Sequence, residues 1–117
     1  MEVFQEFEPG LKDIEGFSHV ILIYWLHQSA GFRLVVTPSW DTEPHGLFTT
    51  RSPNRPCPLG LSVVRLVARE GRVLTVRELD AIDGTPLLDI KPYFPSLDGV
   101  PSAWVGQPKG RSKAEEH

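Results

Sequence analysis

The run LSVVRLVAREGRVLTVREL, Leu61 to Leu79, decides the fold. In an extended chain Val64, Leu66 and Ala68 share one face, and Val63, Arg65 and Val67 share the other. Glu70-Gly71 divides the run and reads as a two-residue hairpin turn, with glycine supplying positive φ. The return strand, Arg72 to Leu79, then turns Leu74 and Val76 inward and Thr75 and Arg77 outward.

The flanking sequence extends this antiparallel pattern. Upstream, Ser18 to His27 is β-branched and aromatic, which predicts a strand buried on both faces. Phe32 to Thr37 predicts another strand, stopped by Pro38. Residues 2–7, EVFQEF, have a weak period of two and predict a short strand ending at the Pro9-Gly10 turn. Leu11 to Gly16 suits one helical turn, with Leu11 and Ile14 on one face. Residues 38–47 form a polar, turn-rich loop, and Gly46 to Thr50 a short strand. Downstream, Ala81 to Thr85 turns around Asp83-Gly84, and Pro86 to Ile90 is a last short strand. Turn residues follow Pro95. Short strands at intervals of about 8–12 residues predict a mainly all-β chain, an antiparallel sheet or small barrel. No helix recurs between strands, which argues against a parallel doubly wound sheet.

The chain has 117 residues, 40% of them hydrophobic and 23% charged, in keeping with one soluble domain. The barrel domain is expected over residues 1–106, followed by a polar tail over 107–117. The longest apolar run, Val20 to Leu26, is strand length, and no stretch reaches the length of a membrane span. The acidic start MEVFQEFE does not read as a signal peptide, so the expected location is cytoplasmic. One cysteine, Cys57, excludes an intrachain disulfide, and the four histidines share no ligand spacing, so no metal is expected. The net charge of −3 gives no global attraction to nucleic acid, so any RNA contact must come from local patches, another subunit or a bound ligand.

Four clusters could carry chemistry. Phe48 to Ser62, FTTRSPNRPCPLGLS, is a stiff loop in which Pro53, Pro56 and Pro58 forbid regular structure and Arg51 and Arg55 are held in place. Such guanidinium groups suit a carboxylate or phosphate, or pair with local acids on a plain surface loop. His27-Gln28 follows the apolar strand, at a barrel mouth or simply at a strand end. Asp83, within LDAIDGT, either accepts turn amides or holds ribose hydroxyls. Asp89 and Lys91 are two apart and face one side of a strand, which an ion pair explains. Cys57 has no activating neighbour in sequence and reads as structural or incidental.

Taken in order, GLKDIEGFSHVILIYWLHQS, TTRSPNRPCPLGLS and LDAIDGTPLLDIKPYFP resemble the TsaA-like (TrmO) family of tRNA methyltransferases, over about residues 1–106. The resemblance implies a single-sheeted antiparallel β-barrel that binds S-adenosyl-L-methionine and acts on tRNA as a homodimer. Some members methylate the exocyclic nitrogen of threonylcarbamoyl-adenosine beside the anticodon. Carried over by position, His27, Gln28, Arg51, Leu61, Leu79 and Asp80 would contact the cofactor, together with the Asp83, Gly84 and Thr85 turn. Arg55 and Lys91 would reach phosphate or substrate. No catalytic base is identified.

Three departures stand out. The match starts after the strand and Pro-Arg-Gln segment that usually open the family, the C-terminal tRNA-related extension has no counterpart, and Cys57 stands where Asn is frequent. Without the opening strand, an unpaired sheet edge is expected. The alternative function is a non-catalytic module that keeps the cofactor or nucleoside pocket but turns over no RNA.

Overall fold

Residues 1–79 and 84–105 are described by a computed structural model. Six strands form: β1 His19–Trp25, β2 Val35–Val36, β3 His45–Gly46, β4 Leu59–Glu70, β5 Val73–Arg77 and β6 Leu87–Pro92. The chain divides into two compact units. The first comprises Met1–Leu26 and Leu59–Gly99, the second His27–Pro58 with the described residues from Val100 onward.

The first unit is built on a four-stranded sheet of order β5-β4-β1-β6, with every pairing antiparallel. The hairpin expected from the sequence is present, but its turn is one residue later. Glu70 pairs with Val73, so Gly71 and Arg72 make the loop, with Gly71 at φ 60°. A bulge at Val67 also corrects the facing pattern. Leu66 opposes Val76 and Ala68 opposes Thr75, so the extra residue flips the alternation. Ala68 is therefore exposed, while Arg69 comes to oppose Leu74. There Arg69 bonds the carbonyls of Gly71 and Leu11 at 2.7 and 3.1 Å and pairs with Glu15 at 3.3 Å.

β1 supplies the centre of the core. Val20 and Leu22 are fully buried, Tyr24 nearly so, and they pack with Val64. Ile21 and Ile23, on the opposite face, are only half-buried, so the strand has one dry face rather than the two expected. A second cluster, Leu11, Leu66 and Leu74, lies beneath the N-terminal segment.

The strand expected over residues 2–7 is not formed. Only Glu2 bridges Val73, backed by bonds between Met1 and Leu74 and between Val3 and Arg72. Gln5–Leu11 instead winds into a 3₁₀ helix containing Pro9. Phe4 and Phe7 lie three apart, a helical spacing that the weak alternation concealed. The single turn expected over Leu11 to Gly16 is split, because Asp13 adopts φ 70° and a second 3₁₀ turn begins at Ile14.

β6 ends the sheet and runs two residues beyond the expected Ile90. An end strand is where Pro92 can be accommodated. Its Ile90 N–H donates to the Asp89 carboxylate at 2.8 Å, and Asp89 pairs with Lys91 at 3.0 Å. Proline and charge on an end strand discourage stray pairing. After Pro95 a single helical turn, Pro95–Asp98, closes with the Phe94 N–H on the Asp98 carboxylate.

In the second unit β2 and β3 form a small antiparallel ribbon. Both are shorter than the strands expected over Phe32 to Thr37 and Gly46 to Thr50. The Thr49 and Thr50 hydroxyls donate to the carbonyls of Gly46 and Leu47, each at 2.7 Å, and draw Leu47–Thr49 into a 3₁₀ turn. The all-β antiparallel class is as the sequence indicates. The closed single-sheeted barrel is not seen among the described residues, where the strands make one four-stranded sheet with ends at β5 and β6 and one separate ribbon.

Candidate functional site

The arginine-proline loop is held in shape by its own polar groups. The Thr50 hydroxyl accepts the Ser52 N–H at 3.4 Å, and the Ser52 hydroxyl accepts the Asn54 N–H at 3.3 Å. Arg55 turns inward: its Nη1 donates to the Thr50 carbonyl at 2.6 Å and to the Ser52 carbonyl at 3.3 Å. Its guanidinium also lies 5.8 Å from the Phe48 ring centroid, within cation–π range. Arg51, between the two tethered carbonyls, is exposed and has no hydrogen-bond or ion-pair partner among the described residues. The loop thus presents one arginine and braces itself with the other.

His27 and Gln28 occupy an exposed turn just after β1. Asn54 joins this turn to the arginine-proline loop, because its Oδ1 accepts both the Ala30 N–H at 3.2 Å and the Ser29 hydroxyl at 3.3 Å. Sequence reasoning did not single out Asn54. Its one available signal was the Ser-Pro-Asn turn chemistry around it.

A further cluster in this unit also escaped notice. His45 Nε2 bonds the Asp41 carboxylate at 2.8 Å, and the Trp40 and His45 rings lie 5.3 Å apart. The other Asp41 oxygen accepts the Thr42 and Glu43 N–H groups at 2.7 and 3.1 Å. The His45 hydrogen bond, followed by these amides, holds the Asp41 carboxyl below the usual aspartate range. The four-residue spacing of Asp41 and His45 was the readable sign.

The remaining expected site residues belong to the first unit. Leu61, on β4 opposite Ile23, is 59% exposed. Leu79 follows β5, also exposed. Gly84 adopts φ 83°, as its turn requires, and Thr85 is half-buried. Asp80 and Asp83 lie outside the described residues. Lys91 and Asp89 make the expected ion pair, whose hydrogen bond lowers the Asp89 carboxyl below its ordinary range. So His27, Gln28, Arg51 and Arg55 sit in one unit, and Leu61, Leu79, Gly84, Thr85 and Lys91 in the other.

Within the first unit a groove of about 690 Å³ opens between the N-terminal segment and β6. Phe4, Phe7, Leu11, Phe17, Leu87 and Ile90 contribute apolar walls. No group of three or more His, Cys, Asp or Glu side chains among the described residues is placed to hold a metal ion. None of the described helices is long and apolar enough to cross a membrane.

Comparison with known proteins agrees with this architecture. The chain is 58% identical over 106 residues to a probable S-adenosyl-L-methionine-binding protein of Pyrococcus abyssi, covering 91% of this chain and 58% of that one. It is 53% identical to a probable S-adenosyl-L-methionine-binding protein of Archaeoglobus fulgidus, again over 91% of this chain but 29% of the relative. The tRNA (adenine(37)-N6)-methyltransferase of Escherichia coli is 34% identical, over 91% of this chain and 48% of the relative. A crystal structure of TrmO superposes with a TM-score of 0.75 at 40% identity, over 90% of this chain and 47% of that one. The chain therefore spans between about three tenths and three fifths of the length of these relatives. The tRNA-methyltransferase O N-terminal domain matches residues 1–99, and the chain belongs to that family.

Proposed function

We propose that the chain binds S-adenosyl-L-methionine and serves a methyltransferase acting on tRNA. The reaction is N6-methylation of threonylcarbamoyl-adenosine next to the anticodon. The relatives named as methyl-donor-binding proteins and as a tRNA (adenine(37)-N6)-methyltransferase support the reading. The observation that carries it is local: an exposed Arg51, without a partner among the described residues, on a braced loop that Asn54 stitches to the His27-Gln28 turn.

The donor set fits the cofactor. Arg51 offers a planar fork to its carboxylate. His27 and Gln28 are exposed and polar, suited to its amino and ribose groups. Leu61 and Leu79, which the family resemblance also assigns to the cofactor, are exposed apolar side chains of the first unit. In this reading Asp80, Asp83, Gly84 and Thr85 complete the contacts. Bound S-adenosyl-L-methionine supplies a methyl group on a sulfonium. The chain's task is then alignment of the attacking nitrogen with that group, which can lower a barrier by several kcal/mol, up to about 7–11 in well-oriented systems. Lys91 would reach the RNA only by leaving Asp89.

The finer architecture belongs to the same proposal. The groove between β6 and the N-terminal segment is where one more extended strand would close the barrel. Leu34, Val35 and Leu97 are each more than half exposed, apolar area that a homodimer would cover. A cytoplasmic location accords with a tRNA substrate.

Transfer of labelled methyl from S-adenosyl-L-methionine to total tRNA tests the function. Label on adenosine beside the anticodon is the expected result. Cofactor binding without any label would mark a non-catalytic binding module, and no binding at millimolar cofactor would overturn the reading altogether.

A further inference from the structure

We propose that Arg55 is a positioning residue for Arg51 rather than a contact for phosphate. The inference rests on the cofactor-binding reading above and concerns how that site is held ready.

The geometry is specific. The Thr50 carbonyl belongs to the peptide entering Arg51, and the Ser52 carbonyl to the peptide leaving Ser52. Arg55 Nη1 bonds both, at 2.6 and 3.3 Å, so its two hydrogens are engaged on the peptides that bracket the Arg51-Ser52 pair. The guanidinium carbon lies 5.8 Å from the Phe48 ring centroid, within cation–π range. Arg55 is half-buried, whereas Arg51 is exposed and without a described partner. Two arginines four apart thus have divided roles. One is committed to main-chain oxygens, and the other is left to meet a ligand carboxylate. Pro53 and Pro56 stiffen the same stretch, so the Arg51 backbone is ordered before binding and less order has to be imposed on association.

The distinction is measurable because 5′-methylthioadenosine keeps the nucleoside, with a neutral thioether in place of the sulfonium, but lacks the aminocarboxypropyl arm that carries the cofactor's carboxylate. Affinities of the full chain for S-adenosyl-L-methionine and for 5′-methylthioadenosine are measured by calorimetry for wild type, Arg55→Ala, Arg55→Lys, Arg51→Ala and the double variant Arg51→Ala/Arg55→Ala. Arg55→Ala is expected to weaken S-adenosyl-L-methionine about five- to tenfold and leave 5′-methylthioadenosine unchanged, the mark of lost preorganisation at the carboxylate end. In the Arg51→Ala background the second substitution should add nothing. Arg55→Lys, which keeps donors for both carbonyls but lacks the planar face, should recover part of the affinity and serves if Arg55→Ala does not fold.

Equal weakening of both ligands would assign Arg55 a merely structural role and overturn the proposal, as would an unchanged affinity for S-adenosyl-L-methionine. The salt dependence of tRNA binding adds an independent readout. A slope reduced by about 0.7–0.9 in Arg55→Ala would reveal a phosphate contact and overturn the proposal, while an unchanged slope supports it. If wild type itself binds no S-adenosyl-L-methionine, the functional reading falls and this inference with it. If wild type binds and Arg55→Ala binds equally well, only this inference falls.

Discussion

Gly60→Ala probes the contact that sets how closely β4 lies against Tyr24 of β1. The two residues are register partners. A Cβ on Gly60 would lie 2.8 Å from Tyr24 Cδ2 and closer still to ring atoms Cε2 and Cζ. The ring has little freedom to retreat, because Tyr24 is nearly buried and its hydroxyl bonds the Ser62 hydroxyl at 2.8 Å. Forcing a methyl into a filled site costs about 1–3 kcal/mol. Breaking the Tyr24–Ser62 hydrogen bond removes about 0.5–1.5 kcal/mol more. Alanine's stiffer unfolded chain returns about 0.4–1 kcal/mol. The net loss centres on about 2 kcal/mol, which lowers the melting temperature by roughly 6–12 °C for a domain of this size. Urea unfolding followed by circular dichroism measures it, with Tyr24→Leu as the partner substitution. In the Tyr24→Leu background the alanine should cost less than about 0.5 kcal/mol, because the ring is gone. A full-sized penalty there, or a negligible penalty in wild type, would refute the packing role assigned to this glycine.

Three other outcomes are expected. Arg51→Ala should weaken S-adenosyl-L-methionine by about 1.5–3 kcal/mol, the range for a hydrogen bond to a charged group, with melting temperature unchanged; equal affinity in a folded variant would remove Arg51 from the site. Asn54→Ala should speed hydrogen exchange at the Ala30 amide and lower cofactor affinity, because the bonds joining the two loops are lost; exchange at the wild-type rate would show that the loops do not depend on it. Asp89 has a folded-state carboxyl pKa below its unfolded value, so its contribution is present above the ordinary aspartate pKa of about 3.9 and is lost as pH falls through the lower folded value. Asp89→Asn should therefore flatten the stability profile below about pH 4 while leaving the shape at higher pH alone; an unaltered acid limb would mean the Lys91 pair contributes nothing.

The parts of this fold written in the sequence are those governed by alternation and by turn chemistry. Val64, Leu66, Leu74 and Val76 repeat every second residue, and Gly71 marks the reversal, so the β4–β5 hairpin was readable. The bulge at Val67 was not, since an extra residue in a strand leaves composition unchanged and shows only in the pairing of Ala68 with Thr75. Gln5–Leu11 was not legible because Phe4 and Phe7, three apart and exposed, are compatible with either extended or 3₁₀ backbone. The short β3 followed the same logic, since the hydroxyls of Thr49 and Thr50 chose a turn over a strand. At the candidate site, Arg51 and Arg55 are equivalent as letters. Only the positions of the Thr50 and Ser52 carbonyls separate a braced arginine from a presented one. Asn54 lay in plain view, yet its partners are 24 and 25 residues away and no local spacing points to them. The blocks that carry the family resemblance were legible, and the family match over residues 1–99 agrees with them.

The central claim is that the arginine-proline loop grips the carboxylate end of a methyl donor. Calorimetric titration of S-adenosyl-L-methionine into wild type, set beside the same titration of Arg51→Ala, addresses it most directly. Saturable one-site binding that drops at least tenfold in the folded variant is what the account expects. No heat in wild type, or two superimposable isotherms, would contradict it.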